Sequence, residues 1–262
     1  MCMTCGCGET ESNGHGSEKK APHQGHSHSH RHLQGVHEGP MLGPGVKKIT
    51  VEADLLQKNN HIAAHNRESF AERKILALNL VSSPGAGKTT LLEKTLMELK
   101  AAMLFSVIEG DQQTDNDARR IEATGAAVIQ ITTGQVCHLD AQMVHDAFHR
   151  MNPPEKSVLM IENVGNLVCP ALFDLGEAAK VVIASTTEGE DKPVKYPYMF
   201  QAADLVLLNK IDLLPHVAFD TGRFEAYLRK INPKAACIPI SATAGEGLHQ
   251  WYAWLDEKRA IK

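Results

Sequence analysis

The chain has 262 residues, a formal charge of −4, 43% hydrophobic residues and only 5% aromatic ones. A charge this near balance argues against nucleic acid or an anionic membrane as partner. No apolar run approaches the ~20 residues of a membrane span, and the N-terminus lacks the apolar stretch of a secretion signal.

The expected compartment is therefore the cytoplasm, where thiols stay reduced. The six cysteines then read as metal ligands, reactive groups or core fillers rather than as disulfides. Residues 1–46 are rich in Gly, His, Ser and Pro and show no hydrophobic periodicity. Such a segment buries too little apolar surface to offset ordering its backbone, so a disordered tail is expected over residues 1–50. Its opening, MCMTCGCG, carries Cys2, Cys5 and Cys7. Closely spaced thiolates on a flexible chain can wrap one soft or borderline metal cation, with the α-amino group available as a fourth donor. His15, His23, His26, His28, His30, His32 and His37 are half of the fourteen histidines. They read as a reservoir of several weak imidazole sites that needs no fold, with a purification tag or a harmless polar linker as the plain alternative.

Residues 51–74 suit a helix with a broken apolar stripe at Leu55, Leu56, Ile62, Ala63 and Phe70. From residue 75 to 262 the chain reads as one domain. Short β-rich runs occur at 75–81, 103–109, 126–131, 157–162, 180–185, 204–209 and 236–240, and helix-compatible stretches such as 89–100 and 138–150 separate most of them. Apolar strands alternating with helices predict an α/β fold with a doubly wound, mainly parallel seven-stranded sheet covered on both faces.

The first strand runs into VSSPGAGKTT. A Gly-rich turn between strand and helix aims backbone N–H groups at one point, and the helix N-terminus adds positive potential; both favour phosphate. Ser83, Gly85, Ala86, Gly87 and Thr90 belong to this loop, Lys88 would neutralise the β- and γ-phosphates, and Thr89 would hold Mg²⁺. Ser82 stands where the general pattern asks for glycine. Further on, NKID (Asn209, Lys210, Asp212) selects the base. A carboxylate only accepts, so Asp212 can pair with the N1–H and amino group of guanine, whereas adenine offers no such donor pair. Asn209 and the Lys210 stem would brace the ring, and Ser241–Ala242 could place a backbone N–H on the guanine oxygen. The site is expected to take GTP and GDP. Between these motifs, Glu162 is placed to hold Mg²⁺ directly or through water, and Gly165 to meet the γ-phosphate. Asp111 and Asp117 are further metal-binding or water-positioning candidates, with a helix-capping role as the plain alternative for Asp117.

Two stretches carry soft ligands in the folded part. TTGQVCHLD holds Cys137 and His138, expected at a helix start where the dipole favours a thiolate, and ENVGNLVCP holds Cys169, seven residues after Glu162. If Glu162 and Gly165 move on hydrolysis, Cys169 moves with them, and a metal shared with Cys137 and His138 gains or loses a ligand. The plain alternative is that isolated cysteines are small core residues, as expected for Cys237. His145 and His149 lie four apart and read as a solvated helix face.

Taken in order, CxxCGC, LVSSPGAGKTTLLE, VIEGDQQTDND, GQVCHLDAQM, MIENVGNLVCP, TEGEDKPVKYP and LLNKIDLLP give the chain a close resemblance to the HypB-type nickel-incorporation GTPases of [NiFe]-hydrogenase maturation, a SIMIBI-class P-loop family. Ser82 fits that family. The resemblance implies a nickel site at Cys2, Cys5 and Cys7, and a nickel or zinc site at Cys137, His138 and Cys169 near a nucleotide- or metal-dependent homodimer interface. It also implies a zinc- and nickel-binding accessory protein and the hydrogenase large-subunit precursor as partners. The function expected is GTP hydrolysis gating nickel insertion. The alternative is a nickel or zinc store whose GTPase unit only controls dimerisation, and an ATP-dependent enzyme of the same fold is a third reading.

Overall fold

The computed structural model describes residues 44–113 and 116–260, with side chains from residue 53 onward. Cys2, Cys5, Cys7 and the histidine tract lie outside the described residues. The chain divides into Met1–Val51 and Glu52–Lys262. Of the first unit only the opening of a helix is described; the sheet and every candidate site in the described residues belong to the second.

Helix α1 spans Pro44–Glu72, starting seven residues ahead of the expected Val51. A proline at the first helical position forfeits no hydrogen bond, so the turn-forming GPG can lead straight into a helix. Seven strands come after it, β1 (Leu76–Ser82), β2 (Phe105–Asp111), β3 (Ala127–Thr132), β4 (Val158–Glu162), β5 (Ala179–Ser185), β6 (Leu205–Asn209) and β7 (Ala236–Pro239). They form one sheet in the order β3-β2-β4-β1-β5-β6-β7, and every pairing is parallel. The expected mainly parallel sheet is thus parallel throughout. Each parallel step needs a crossover; helices serve five of the six, α2 (Lys88–Leu99), α3 (Asn116–Glu122), α4 (Ala141–Met151), α5 (Lys192–Lys195) with α6 (Pro197–Gln201), and α7 (Thr221–Ile231), while the β4–β5 connection carries only the 3-10 turn Cys169–Ala171 and α8 (Leu248–Ala260) closes the chain.

Period-two alternation sorts the core. Leu76, Leu78 and Leu80 of β1 face a cluster built from Leu91, Leu92 and Leu96 of α2, Ile121 of α3 and Leu248, Trp251 and Leu255 of α8. On the opposite face Ala77, Ile108 and Ile161 meet Phe70 of α1 and Val144 and Phe148 of α4. Val81, Val182 and Val206 on that same side meet Met199 and Phe200 of α6 and Phe224 and Leu228 of α7. Strands β1, β4, β5 and β6 are buried along their whole length, as strands covered on both faces must be. Helix α1 is tied down by amides. Asn59 Oδ1 accepts from Ala141 N (2.8 Å), and Asn66 Nδ2 donates to Ala141 O and Leu175 O at 2.9 and 3.0 Å. Among the described residues, no helix is long and apolar enough to cross a membrane.

Neighbours change sides at β1, which lies between β4 and β5. A crevice opens beyond the carboxyl ends of the strands at such a switch point, and the candidate residues collect there.

Candidate nucleotide and metal sites

Ser82 ends β1, and the chain reverses through Ser83–Gly87 into α2. Gly85 and Gly87 adopt φ of 75° and 93°, the left-handed region where a side chain is strained. A Cβ on Gly87 would also stand 2.5 Å from Asn209 Nδ2. Lys88 and Thr89 open α2, and both donate to one oxygen. Glu162 Oε1 accepts from Lys88 Nζ at 2.9 Å and from Thr89 Oγ1 at 2.6 Å. Glu162 is buried, and its Oε2 has no protein partner. The surrounding cleft of about 520 Å³ is lined by the loop together with Thr90, Asp111, Asp117, Arg120, Gly165 and Lys210. Gly165 packs against Pro84, so that a Cβ there would meet its backbone at 3.2 Å.

Asp111 closes β2 and accepts from Gln112 N at 2.5 Å. Asp117, in the first turn of α3, is held by Arg120 at 3.1 Å, and the same guanidinium reaches Glu93 and Thr90. Sequence reasoning missed Arg120, Lys192 and Glu109. Lys192 Nζ donates to Ser83 Oγ at 3.1 Å. Glu109 faces Glu162 across β2 and β4 in register and is buried, with Oε2 unpartnered. Burial first, then the charges of Glu162, Asp111 and Asp117, push its carboxyl up to about 8 against the pull of Lys88. Alternation carried the signal, since Glu109 shares a strand face with the fully buried Val107.

The base-selecting segment is built around Asn209. Its Nδ2 donates to Ala86 O (2.9 Å) and its Oδ1 accepts from Ala242 N (3.0 Å). Both ends of the amide therefore knit the phosphate loop to the Ser241–Ala242 turn, and the Ala242 N–H is engaged by Asn209. Lys210, at φ 64°, lays its ammonium on Gly85 O at 2.7 Å. Asp212 lies exposed in the 3-10 helix Ile211–His216, outside the residues lining the phosphate cleft. Ser241 is fully buried and its hydroxyl accepts from Ala244 N.

Cys137, His138 and Cys169 come together, with one ligand atom from each lying within 4.8 Å of the others. The two Sγ atoms are 2.9 Å apart. His138 Nδ1 is buried without a protein partner, and its ring stacks on Phe173 at 4.0 Å between centroids. Burial holds the imidazole below its ordinary pKa although Asp140 opposes this, which favours the neutral, metal-binding form. The expected helix start is not where these residues sit. Helix α4 begins at Ala141, with Asp140 as the cap accepting from Met143 N. Cys137 is four residues short of it, beyond the turn over which a helix dipole acts. Cys169 opens the 3-10 helix Cys169–Ala171. Two thiols and an orphaned imidazole nitrogen are a donor set suited to nickel or zinc. Val136, Val168 and Leu172 stand exposed around them.

Cys237 is half-buried on β7, and burial pushes its thiol up to about 12, as a core filler requires. His145 is less solvated than expected, because Nδ1 lies 3.0 Å from Asn66 Oδ1.

Comparison with known proteins agrees with this architecture. The family described as "CobW/HypB/UreG, nucleotide-binding domain" matches residues 76–239. Hydrogenase maturation factor HypB of Escherichia coli K12 is 50% identical, covering 99% of this chain and 99% of its own length. Its counterpart in Rhizobium leguminosarum bv. viciae is 55% identical over 88% of this chain and 77% of that protein. The crystal structure of HypB from Helicobacter pylori in complex with nickel superposes with a TM-score of 0.73 at 38% identity, covering 78% of this chain and 96% of that one. That of Archaeoglobus fulgidus HypB gives 0.73 at 35%, covering 78% and 99%.

Proposed function

The chain belongs to the CobW/HypB/UreG family and, within it, to the HypB maturation factors, and from that premise we propose that it is a cytoplasmic GTP-hydrolysing nickel metallochaperone. It inserts nickel into the [NiFe]-hydrogenase large-subunit precursor, and hydrolysis gates the transfer. One observation carries this reading: Cys169, within 4.8 Å of Cys137 and His138 at its ligand atom, lies with Gly165 on the loop that follows Glu162, the last residue of β4.

The geometry supports the following roles. Thr89 and Glu162 would hold Mg²⁺, and the buried, unpartnered Glu162 Oε2 fits a hard cation that takes oxygen ligands. Bound there, the ion would neutralise charge on the phosphates. Lys88, released from Glu162, reaches the phosphate oxygens, and the loop N–H groups of Ser83 to Thr90 surround them. Asp111 and Asp117 line the cleft as candidates for orienting water. Gly165 approaches the terminal phosphate, and Asn209, Lys210, Asp212, Ser241 and Ala242 shape a guanine pocket. Nickel, or zinc in its place, is cargo for Cys137, His138 and Cys169, and Cys2, Cys5 and Cys7 form a second capture site. The exposed apolar residues around the thiols suit contact with a second copy, with a zinc- and nickel-binding accessory protein, or with the precursor.

The test is hydrogenase activity in cells carrying Lys88→Ala at limiting nickel. Delivery by GTP hydrolysis requires activity to fall at least about tenfold, since the lysine stabilises transferring phosphate charge, with partial rescue by added nickel. Unchanged activity would end this reading and favour the storage alternative.

A further inference from the structure

A line of buried polar side chains links the backbone beside His138 to the backbone beside Cys169. The Leu139 N–H, one residue after His138, donates to Asn163 Oδ1 at 3.0 Å. Asn163 Nδ2 donates to Asn79 Oδ1 at 3.2 Å, and Asn79 Nδ2 to Glu177 Oε1 at 3.1 Å. Lys180 Nζ lies 3.7 Å from that same oxygen and donates to Pro170 O at 3.0 Å, one residue after Cys169. The line starts beside one metal ligand and ends beside another.

Its course is not what packing alone would select. Asn79 and Asn163 are 0% and 1% exposed in the central strand β1 and at the end of β4, and Lys180 is 6% exposed in β5, positions where an apolar side chain involves no desolvation. Each amide is engaged at both ends, so displacing one member strands the next. Asn163 directly follows Glu162, and its own N–H is fixed to Leu80 O at 3.0 Å. A backbone shift of Glu162 that loosens this bond would displace the side chain that holds the Cys137–His138 loop and, through Asn79, Glu177 and Lys180, the carbonyl that seats Cys169.

We propose that Asn163, Asn79, Glu177 and Lys180 are positioning residues forming a buried relay, which transmits the occupancy of the phosphate site to the spacing of the Cys137 and Cys169 ligands. This rests on the gated nickel transfer proposed above and assigns the side chains that carry the gate. The relay touches neither nucleotide nor metal, so breaking it uncouples the two sites while leaving each able to bind.

The experiment uses the full chain with Cys2, Cys5 and Cys7 changed to Ser, so that thiolate-to-nickel charge-transfer absorption reports the folded domain. Nickel is titrated with GDP and with a non-hydrolysable GTP analogue, in this parent, in Asn163→Ala and in the charge-neutral pair Glu177→Gln with Lys180→Met. The pair removes no charge partner singly and keeps the side-chain volumes, so it folds where a lone substitution would strand an ion. The parent is expected to show at least about a fivefold difference in nickel affinity between the two nucleotides. Both variants should bring that ratio to within about twofold of unity while GDP affinity changes less than about twofold. A folded pair variant that keeps the parent's ratio overturns the relay and leaves gating intact. A parent with no difference between nucleotides overturns the gated reading and the relay with it.

Discussion

Gly87 and Gly85 separate two demands that a phosphate loop makes on single residues. Both have positive φ, so alanine at either position strains the backbone by roughly 1–2 kcal/mol. Only at Gly87 does the new Cβ also collide, at 2.5 Å from Asn209 Nδ2, whereas nothing lies within 4 Å at Gly85. Gly87→Ala should therefore push Asn209 off both Ala86 and Ala242 and weaken binding of a fluorescent GDP at least about tenfold more than Gly85→Ala does, a difference of about 1.4 kcal/mol. Equal losses in that titration would show that Asn209 does not organise the pocket. Glu109 supports a second prediction. Its carboxyl ordinarily titrates at 4.5 and is raised to about 8 in the fold. The folded protein then holds a proton that the unfolded chain releases, so this group's contribution to stability is complete below pH 4.5 and is lost as pH rises through about 8. In metal-free buffer, Glu109→Gln should overtake the parent in melting temperature between pH 5 and pH 8. A difference that does not grow with pH would mean that Glu109 is charged throughout.

At the scale of elements, the strands were legible because each is a short apolar run ended by a turn former, and all seven expected runs form strands within two residues of their expected ends. Helix starts were less so. Helix α4 opens at Ala141, not at His138, because Asp140 caps it through Met143 N, and a cap two residues inside an apparent helical pattern is easily overrun. The stretch from Thr133 to Leu139 instead follows the loop after β2, with Thr133 N and Gly134 N donating to Asp111 O and Gln112 O. Helix α1 belongs to the fold through its amides more than through a continuous apolar face. Asn66 donates to two carbonyls, of Ala141 and Leu175, on separate segments. Asn66→Ala should cost about 1–3 kcal/mol in urea unfolding, the usual penalty for stranding buried polar groups. Asn60→Ala, exposed on the same helix, should stay within about 0.5 kcal/mol. If the two substitutions cost the same, that clamp does not hold the helix.

Over the whole molecule, burial grades outward from β1 and β4. The central strands are buried at every residue, while the edge strands β3 and β7 are exposed at both ends. Amide hydrogen exchange should accordingly be slowest in β1, β4 and β5 and measurably faster in β3 and β7, because local opening energies follow buried contact. Uniform protection across the sheet would contradict this gradient. The sequence by itself determined what is local: seven strands, a phosphate loop after the first, a guanine-type segment after the sixth and family membership, since each is written in a contiguous motif. Only the tertiary structure decided what depends on strand order. Placing β4 between β2 and β1 sets Glu109 opposite Glu162, lays Asn163 against Asn79 and brings Cys137 to Cys169 across thirty-two residues of chain. No spacing encodes those meetings, because parallel strands are joined through crossovers whose landing place is chosen by the packing of the whole sheet.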